Sequence, residues 1–269
     1  MSGTRKLRRL LPLALLLGGC ATSTSTTREA ASPAEAARQG KVRIVDLGHP
    51  LSEEMPVFPG GVRLKSTTLG TVEHDGYYIN EFHIGEHTGT HVDAPAHFIP
   101  GAATVDQLPT ESLSGFAAVV DITSQVADNP DYEVSVEDVL AWERQHGPLG
   151  PQHLVLIRTG WASRWGDEAR YRNTDTAGVM HFPGVSVAAS QLLRERKVKA
   201  LGIDTLSTDP GTSATFAQHR DFLGGGGYHI ENLGDLSVLP PQGTFVVVAV
   251  LPVKGGSGAP ARVLAFLEQ

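Results

Sequence analysis

Several absences narrow the field before any motif is read. The 269-residue chain has a single cysteine, Cys20, so it forms no internal disulfide and its body carries no thiol nucleophile. It has no Gly-x-Ser-x-Gly segment, which removes the usual frame for serine hydrolysis. Its formal net charge is −7 and no long basic run offsets it, so nothing points to nucleic acid as a partner. Its amino-terminal apolar run, Leu10 to Leu17, is too short to cross a bilayer. Aromatic residues are scarce at 6%, and no internal repeat is present. What is plentiful is glycine (30) and proline (17), which imply a loop-rich α/β or β-rich enzyme rather than a helical bundle.

The amino terminus reads as an export signal over residues 1–20. Arg5, Lys6, Arg8 and Arg9 precede the apolar run, and Gly18-Gly19-Cys20 follows it. Leu17-Gly18-Gly19-Cys20 resembles a bacterial lipobox, which makes Cys20 the expected site of lipidation. Residues 21–40, rich in Ser, Thr and Ala without apolar periodicity, read as a disordered tether. The expectation is an exported protein, facing the periplasm or the cell exterior and touching the membrane only through its lipid. Residues 41–269 are enough for one large domain.

Within that domain, strands are expected over 42–47, 62–69, 77–84, 116–122, 153–157, 198–203, 244–250 and 263–267, with Pro50 to Pro59 as loop. Helices are expected from Ser135, which opens a capping-box pattern, to Gly147, and over 187–197. Strands and helices alternate only in the second half. The predicted fold class is therefore α/β, a single domain built on a mixed β-sheet with flanking helices.

The segment that carries chemistry is His87-Thr88-Gly89-Thr90-His91-Val92-Asp93-Ala94-Pro95-Ala96-His97-Phe98. Gly89, the β-branched Thr88, Thr90 and Val92, and Pro95 oppose a helix. In an extended run His87, His91, Asp93 and His97 share one parity and point one way. Convergent imidazoles and a carboxylate suit a borderline divalent ion, Zn²⁺, or Mn²⁺ where oxygen donors dominate. His83 shares the parity and is placed at the pocket wall. A second cluster, His219 and Glu231, flanks a glycine run at 224–227 that would fold both back onto the first. No Gly-Lys-Ser/Thr follows that run, so it is a weak phosphate cradle. His181 and His229 are weaker candidates for the wall, and Asp204 serves equally well as a loop cap.

These residues resemble the signature of the metal-dependent cyclase family, which includes bacterial kynurenine formamidases and isatin hydrolases. The likeness extends through Asp46-Leu47, Pro56-Val57-Phe58-Pro59-Gly60, His181-Phe182-Pro183-Gly184, Gly202-Ile203-Asp204-Thr205 and Ile230-Glu231-Asn232-Leu233. The resemblance implies His87, His91 and Asp93 as metal ligands. It implies His219 and Glu231 as completing a two-metal site, with Asp93 and Glu231 suited to bridge, His87 and His91 on one metal and His219 on the other, and one or two ions expected per subunit. It implies His97 as the acid/base and Phe58 as a substrate-contacting ring. Family formamidases usually have tryptophan at that position; Phe58 keeps the ring and loses the indole N–H. The implied fold is of the swivelling β/β/α kind, and the implied assembly a homodimer or homotetramer. The implied reaction is hydrolysis of a small amide, either N-formylkynurenine or a cyclic amide such as isatin, by metal-activated water. A surface lipoprotein that only binds metal would use the same ligands but would need no acid/base.

Overall fold

The computed structural model describes residues 38–268. The export signal, Cys20 and the tether up to residue 37 lie outside the described residues. The strands are β1 (Val42–Asp46), β2 (Lys65–Gly70), β3 (Ile79–His83), β4 (His91–Asp93), β5 (Ser114–Asp121), β6 (Glu133–Val134), β7 (His153–Arg158), β8 (Gly184–Val185), β9 (Ala200–Ile203), β10 (Tyr228–Glu231), β11 (Gln242–Val250) and β12 (Gly258–Glu268). Three longer helices are α1 (Val136–His146), α2 (Val187–Glu195) and α3 (Ala217–Gly224). No helix among the described residues is long and apolar enough to cross a membrane.

The main sheet runs β1-β12-β11-β5-β7-β9-β10-β4, and β4 pairs back onto β12. Seven strands thus close into a ring, and β1 lies outside it on β12. Pairings among β5, β7, β9 and β10 are parallel and the others antiparallel. A mixed sheet was expected; its closure was not. Closure depends on the 11-residue β12, which pairs with β1, β11 and β4 in turn.

Strand alternation divides the apolar residues into two cores. Ala117, Val119, Leu154, Leu156 and Ala200 face the ring's interior with Val92, Ile230, Val246 and Val263. Ala118, Val120, Val155, Ile157, Leu201 and Ile203 face outward against Val139 and Trp142 of α1, Ala189 and Leu193 of α2, and Phe222 of α3. Both faces of the central strands are buried, which is why they read as continuous apolar runs. The helices are few and cover this stretch of the sheet. Two of them start as the sequence implies: Ser135 accepts from Asp138 N in a capping box, and Ser186 accepts from Ala189 N.

A separate two-stranded hairpin, β2 with β3, projects from the body. Leu69, Val72, Tyr77, Tyr78, Ile79 and Phe82 are all exposed on it.

Candidate metal centre

β4 is short but paired on both edges. Its residues His91 and Asp93 lie opposite Glu231 and His229 of β10, and opposite Pro260 and Gly258 of β12. Period-two alternation puts His91, Asp93, His229 and Glu231 on one face. His87 does not arrive by extension of the strand. A turn at Gly89, with φ of +70°, folds it back over the β4–β12 edge. There a Cβ on residue 258 would lie 2.5 Å from the His87 ring, so only glycine leaves room. His97 arrives on a single 3₁₀ turn, Pro95–His97, beyond the strand. The expected extended run from 87 to 97 is thus three residues of strand between two turns.

Hydrogen-bond acceptors around the cluster fix which nitrogen of each ring carries the proton. His91 Nδ1 lies 2.8 Å from the carbonyl of Gly89, which can only accept. His219 Nδ1 lies 2.6 Å from an Asp209 carboxylate oxygen. The Ser257 hydroxyl donates to Glu86 at 2.5 Å, so it accepts from His87 Nε2 at 2.9 Å. The remaining nitrogens all turn lone pairs inward. His87 Nδ1 is 2.6 Å and His91 Nε2 3.1 Å from Asp93 Oδ1. His219 Nε2 is 3.2 Å from Asp93 Oδ2 and 3.2 Å from Glu231 Oε1, and His91 Nε2 is 3.5 Å from Glu231 Oε2.

Three imidazole nitrogens facing two carboxylates at these distances call for positive charge between them, a proton or a metal cation. The titration behaviour carries the same message. Burial opposes charge on His91, yet the Asp93 and Glu231 carboxylates push its pKa up to about 9. His219, also buried, is held well above the ordinary imidazole range, first by Asp209 and then by Asp93 and Glu231. Burial likewise opposes charge on Asp93, but the surrounding imidazoles hold it well below the carboxylate range. The two inner carboxylates thus favour positive charge at this spot, and the donor set of imidazole nitrogen and carboxylate oxygen fits a borderline divalent metal.

His97 is different. Its ring stacks on His87 at 3.8 Å and meets the edge of Phe98 at 4.6 Å. Burial lowers its pKa to about 4, which leaves it neutral and able to accept a proton at pH 7. Above the cluster opens a cavity of about 250 Å³ whose walls include Phe58, Phe98, Phe216 and Leu206. Phe216 lies 6.0 Å from Phe58 and 5.4 Å from Phe98, ring centre to ring centre. It has φ of +51°, a conformation rare for a bulky residue, directly before α3.

The structure therefore brings His87, His91, Asp93, His97, His219, Glu231 and Phe58 to one cavity. It does not bring His83, which is exposed at the end of β3 opposite Lys65. Parity placed His83 beside His87, but the chain leaves the strand at Ile84 and turns, so the parity is not continuous. His181 pairs with Asp131 at 2.8 Å and Asp175 at 3.4 Å, outside the cavity lining. Asp204 is a loop clamp, accepting from Thr159 N, Thr159 Oγ1 and Gly160 N.

Asp209, Phe216 and Asn232 were not foreseen. Asn232, with φ of +55°, donates from its side chain to the Gly89 carbonyl that also holds His91. It accepts from Tyr171 Oη and, through its backbone carbonyl, from Thr90 Oγ1. An asparagine directly after Glu231 was the available signal, since this residue type tolerates the left-handed region.

A closed mixed sheet with a His/Asp/Glu cage at the β4–β10 seam defines a class that comparison with known proteins makes definite. The family model described as "Cyclase: Putative cyclase" matches residues 45–210. The chain belongs to that family. It is 29% identical to an isatin hydrolase of Roseibium aggregatum, over 86% of this chain and 94% of the relative. It is 27% identical to a kynurenine formamidase of Salinibacter ruber, over 81% of this chain and 95% of the relative. The solved structure of isatin hydrolase A from Ralstonia solanacearum superposes with a TM-score of 0.80 at 36% identity, covering 91% of this chain and all of that one.

Proposed function

We propose that this protein is a metal-dependent hydrolase that cleaves the C–N amide bond of a small aromatic substrate. The observation that carries the reading is the set of inward-facing imidazole lone pairs and carboxylates at the floor of a phenylalanine-walled cavity. His87, His91, Asp93, His219 and Glu231 would hold Zn²⁺ or Mn²⁺. A divalent ion held there would supply Lewis acidity to the carbonyl and bring the pKa of a water down to about 7. Phe58, Phe98 and Phe216 clamp a flat ring and exclude bulk solvent. His97, held neutral and stacked, takes a proton from water and returns it to the leaving nitrogen. The residue arrangement suits both a linear N-formyl arylamine and a strained cyclic amide, and the named relatives represent both.

The test is to load purified protein with Zn²⁺ or Mn²⁺ and follow N-formylkynurenine and isatin by absorbance. Turnover of either supports the reading and assigns the substrate type. Tight metal with no turnover of these or related aryl amides would make the protein a metal-binding lipoprotein instead.

We also propose an exported, Cys20-anchored protein that assembles as a homodimer or homotetramer. The exposed apolar hairpin supports assembly, since an isolated two-stranded hairpin is marginal in water. A monomer by sedimentation, with Tyr77, Tyr78 and Phe82 intact, would remove that part.

A further inference from the structure

The register that seats the ligand strands also seats a residue outside the ligand set above. His229 lies opposite Asp93 just as Glu231 lies opposite His91, so these four side chains form the corners of a square on one sheet face. α3 lowers His219 over it. His229 is completely buried, and its Nδ1 is 3.9 Å from Asp93 Oδ2. Its ring meets that of His219 edge-on at 4.5 Å and lies nearly parallel to Phe222 at 5.3 Å. Its polar neighbours, Thr208 Oγ1 and the Gln218 side-chain amide, are both at 3.3 Å, beyond good hydrogen-bond distance. A wholly buried imidazole so weakly engaged lacks a strong partner.

The two carboxylates divide their oxygens. Asp93 Oδ1 faces His87 and His91, while Oδ2 faces His219 and His229. Glu231 Oε2 faces His91, while Oε1 faces His219. Asp93, His219, His229 and Glu231 each contribute a donor atom to a group whose members lie within 4.8 Å of one another. Tetrahedral donors about 2.0–2.2 Å from one ion lie about 3.3–3.6 Å apart, so binding an ion there draws the most widely spaced pair together by up to about 1 Å.

We propose that His229 is a metal ligand, the fourth donor of a second ion position formed with His219, Asp93 and Glu231. The first position is His87, His91 and the opposite oxygens of the same two carboxylates. This rests on reading the cluster as a metal centre. Nδ1 is the donor atom. Gln218 Oε1 lies 2.7 Å from Thr208 Oγ1, and its amide nitrogen faces His229 Nε2. With the amide's O and N exchanged, its N–H donates to Thr208 Oγ1 and its carbonyl accepts the Nε2 proton, which fixes the tautomer.

The test counts ions without substrate. Metal-free full-length protein is titrated with Zn²⁺, and bound metal is measured by elemental analysis after gel filtration. Two tight equivalents are expected for the native chain. His229→Phe, which keeps the packing on Phe222, should retain one and weaken the other by more than the roughly 10–100-fold that loss of an outer partner causes. One equivalent in the native chain, or two tight equivalents in the variant, overturns the proposal. Where the variant does not fold, the Co²⁺-loaded native chain decides through its paramagnetically shifted imidazole N–H resonances: four support the proposal, three refute it. Failure here leaves amide hydrolysis standing, whereas no bound metal at all would overturn both.

Discussion

The two halves of the metal centre are built on different supports. In the near half His91 and Asp93 ride on a strand paired along both edges and His87 on the turn just before it, and the rings are held by neutral acceptors, the Gly89 carbonyl and the Ser257 hydroxyl. In the far half, His219 rides on the eight-residue α3, and a carboxylate, Asp209, holds its ring at 2.6 Å. Asp209 also accepts from the backbone N–H groups of Gln218 and His219, so one side chain fixes both the helix and the ring it carries. Where backbone pairing sets a ligand's position, a neutral hydrogen bond suffices to set its tautomer. Where a short helix carries the ligand, a charge-assisted bond does both tasks.

Substitutions can break this contrast. The largest effect is expected from His91→Ala, which removes a donor facing both carboxylates; the ion held with His87 should be lost, read by elemental analysis as a fall in bound metal, and turnover with it. His97→Ala should keep metal content unchanged and lower kcat by about 10²–10⁴, because it removes a proton carrier and no ligand. Asp209→Asn should weaken metal binding by about 10–100-fold in a chelator competition, while Ser257→Ala should cost only a small fraction of that. Equal effects of the last two would erase the difference between the halves. The smallest effect concerns the turn behind the near half, where His49 N donates to Thr90 Oγ1 and the His49 ring stacks on Trp165 at 4.1 Å. Burial lowers the His49 pKa from 6.5 to about 4, so the native state favours its neutral form. Its contribution to stability is complete above pH 6.5 and is lost as pH falls toward 4. Tm should decline over that window in the native chain and decline less in His49→Gln.

The same contrast governs what the sequence revealed. The near half was legible because its ligands sit within a few residues and strand parity relates His91 to Asp93 directly. Parity failed wherever the chain turned: at Gly89, at Pro95, and between His83 and His87. The far half was legible in residue type but not in form. The segment around His219 was assigned no element of its own, only a place before a glycine-rich turn, and it is a helix whose entry through Phe216 in the left-handed region no propensity announces. Asp209 escaped notice because its partner is ten residues away across a loop and a helix start. Most strands were found within two or three residues of their ends, while closure of the ring, a matter of which strands meet, left no periodic trace.

That closure has a consequence for how the centre comes into being. β4 owes one of its two edges to residues 258–260 of β12, and Ser257, just before them, holds the His87 ring. A growing chain that has reached Leu239 already contains all five residues assigned as ligands, and His229 as well, yet it has no cage, because the staves are present and the hoop is not. Assembly therefore waits for contacts between segments some 165 residues apart, which are slow to form. Ion capture is accordingly expected to follow the docking of the last strand.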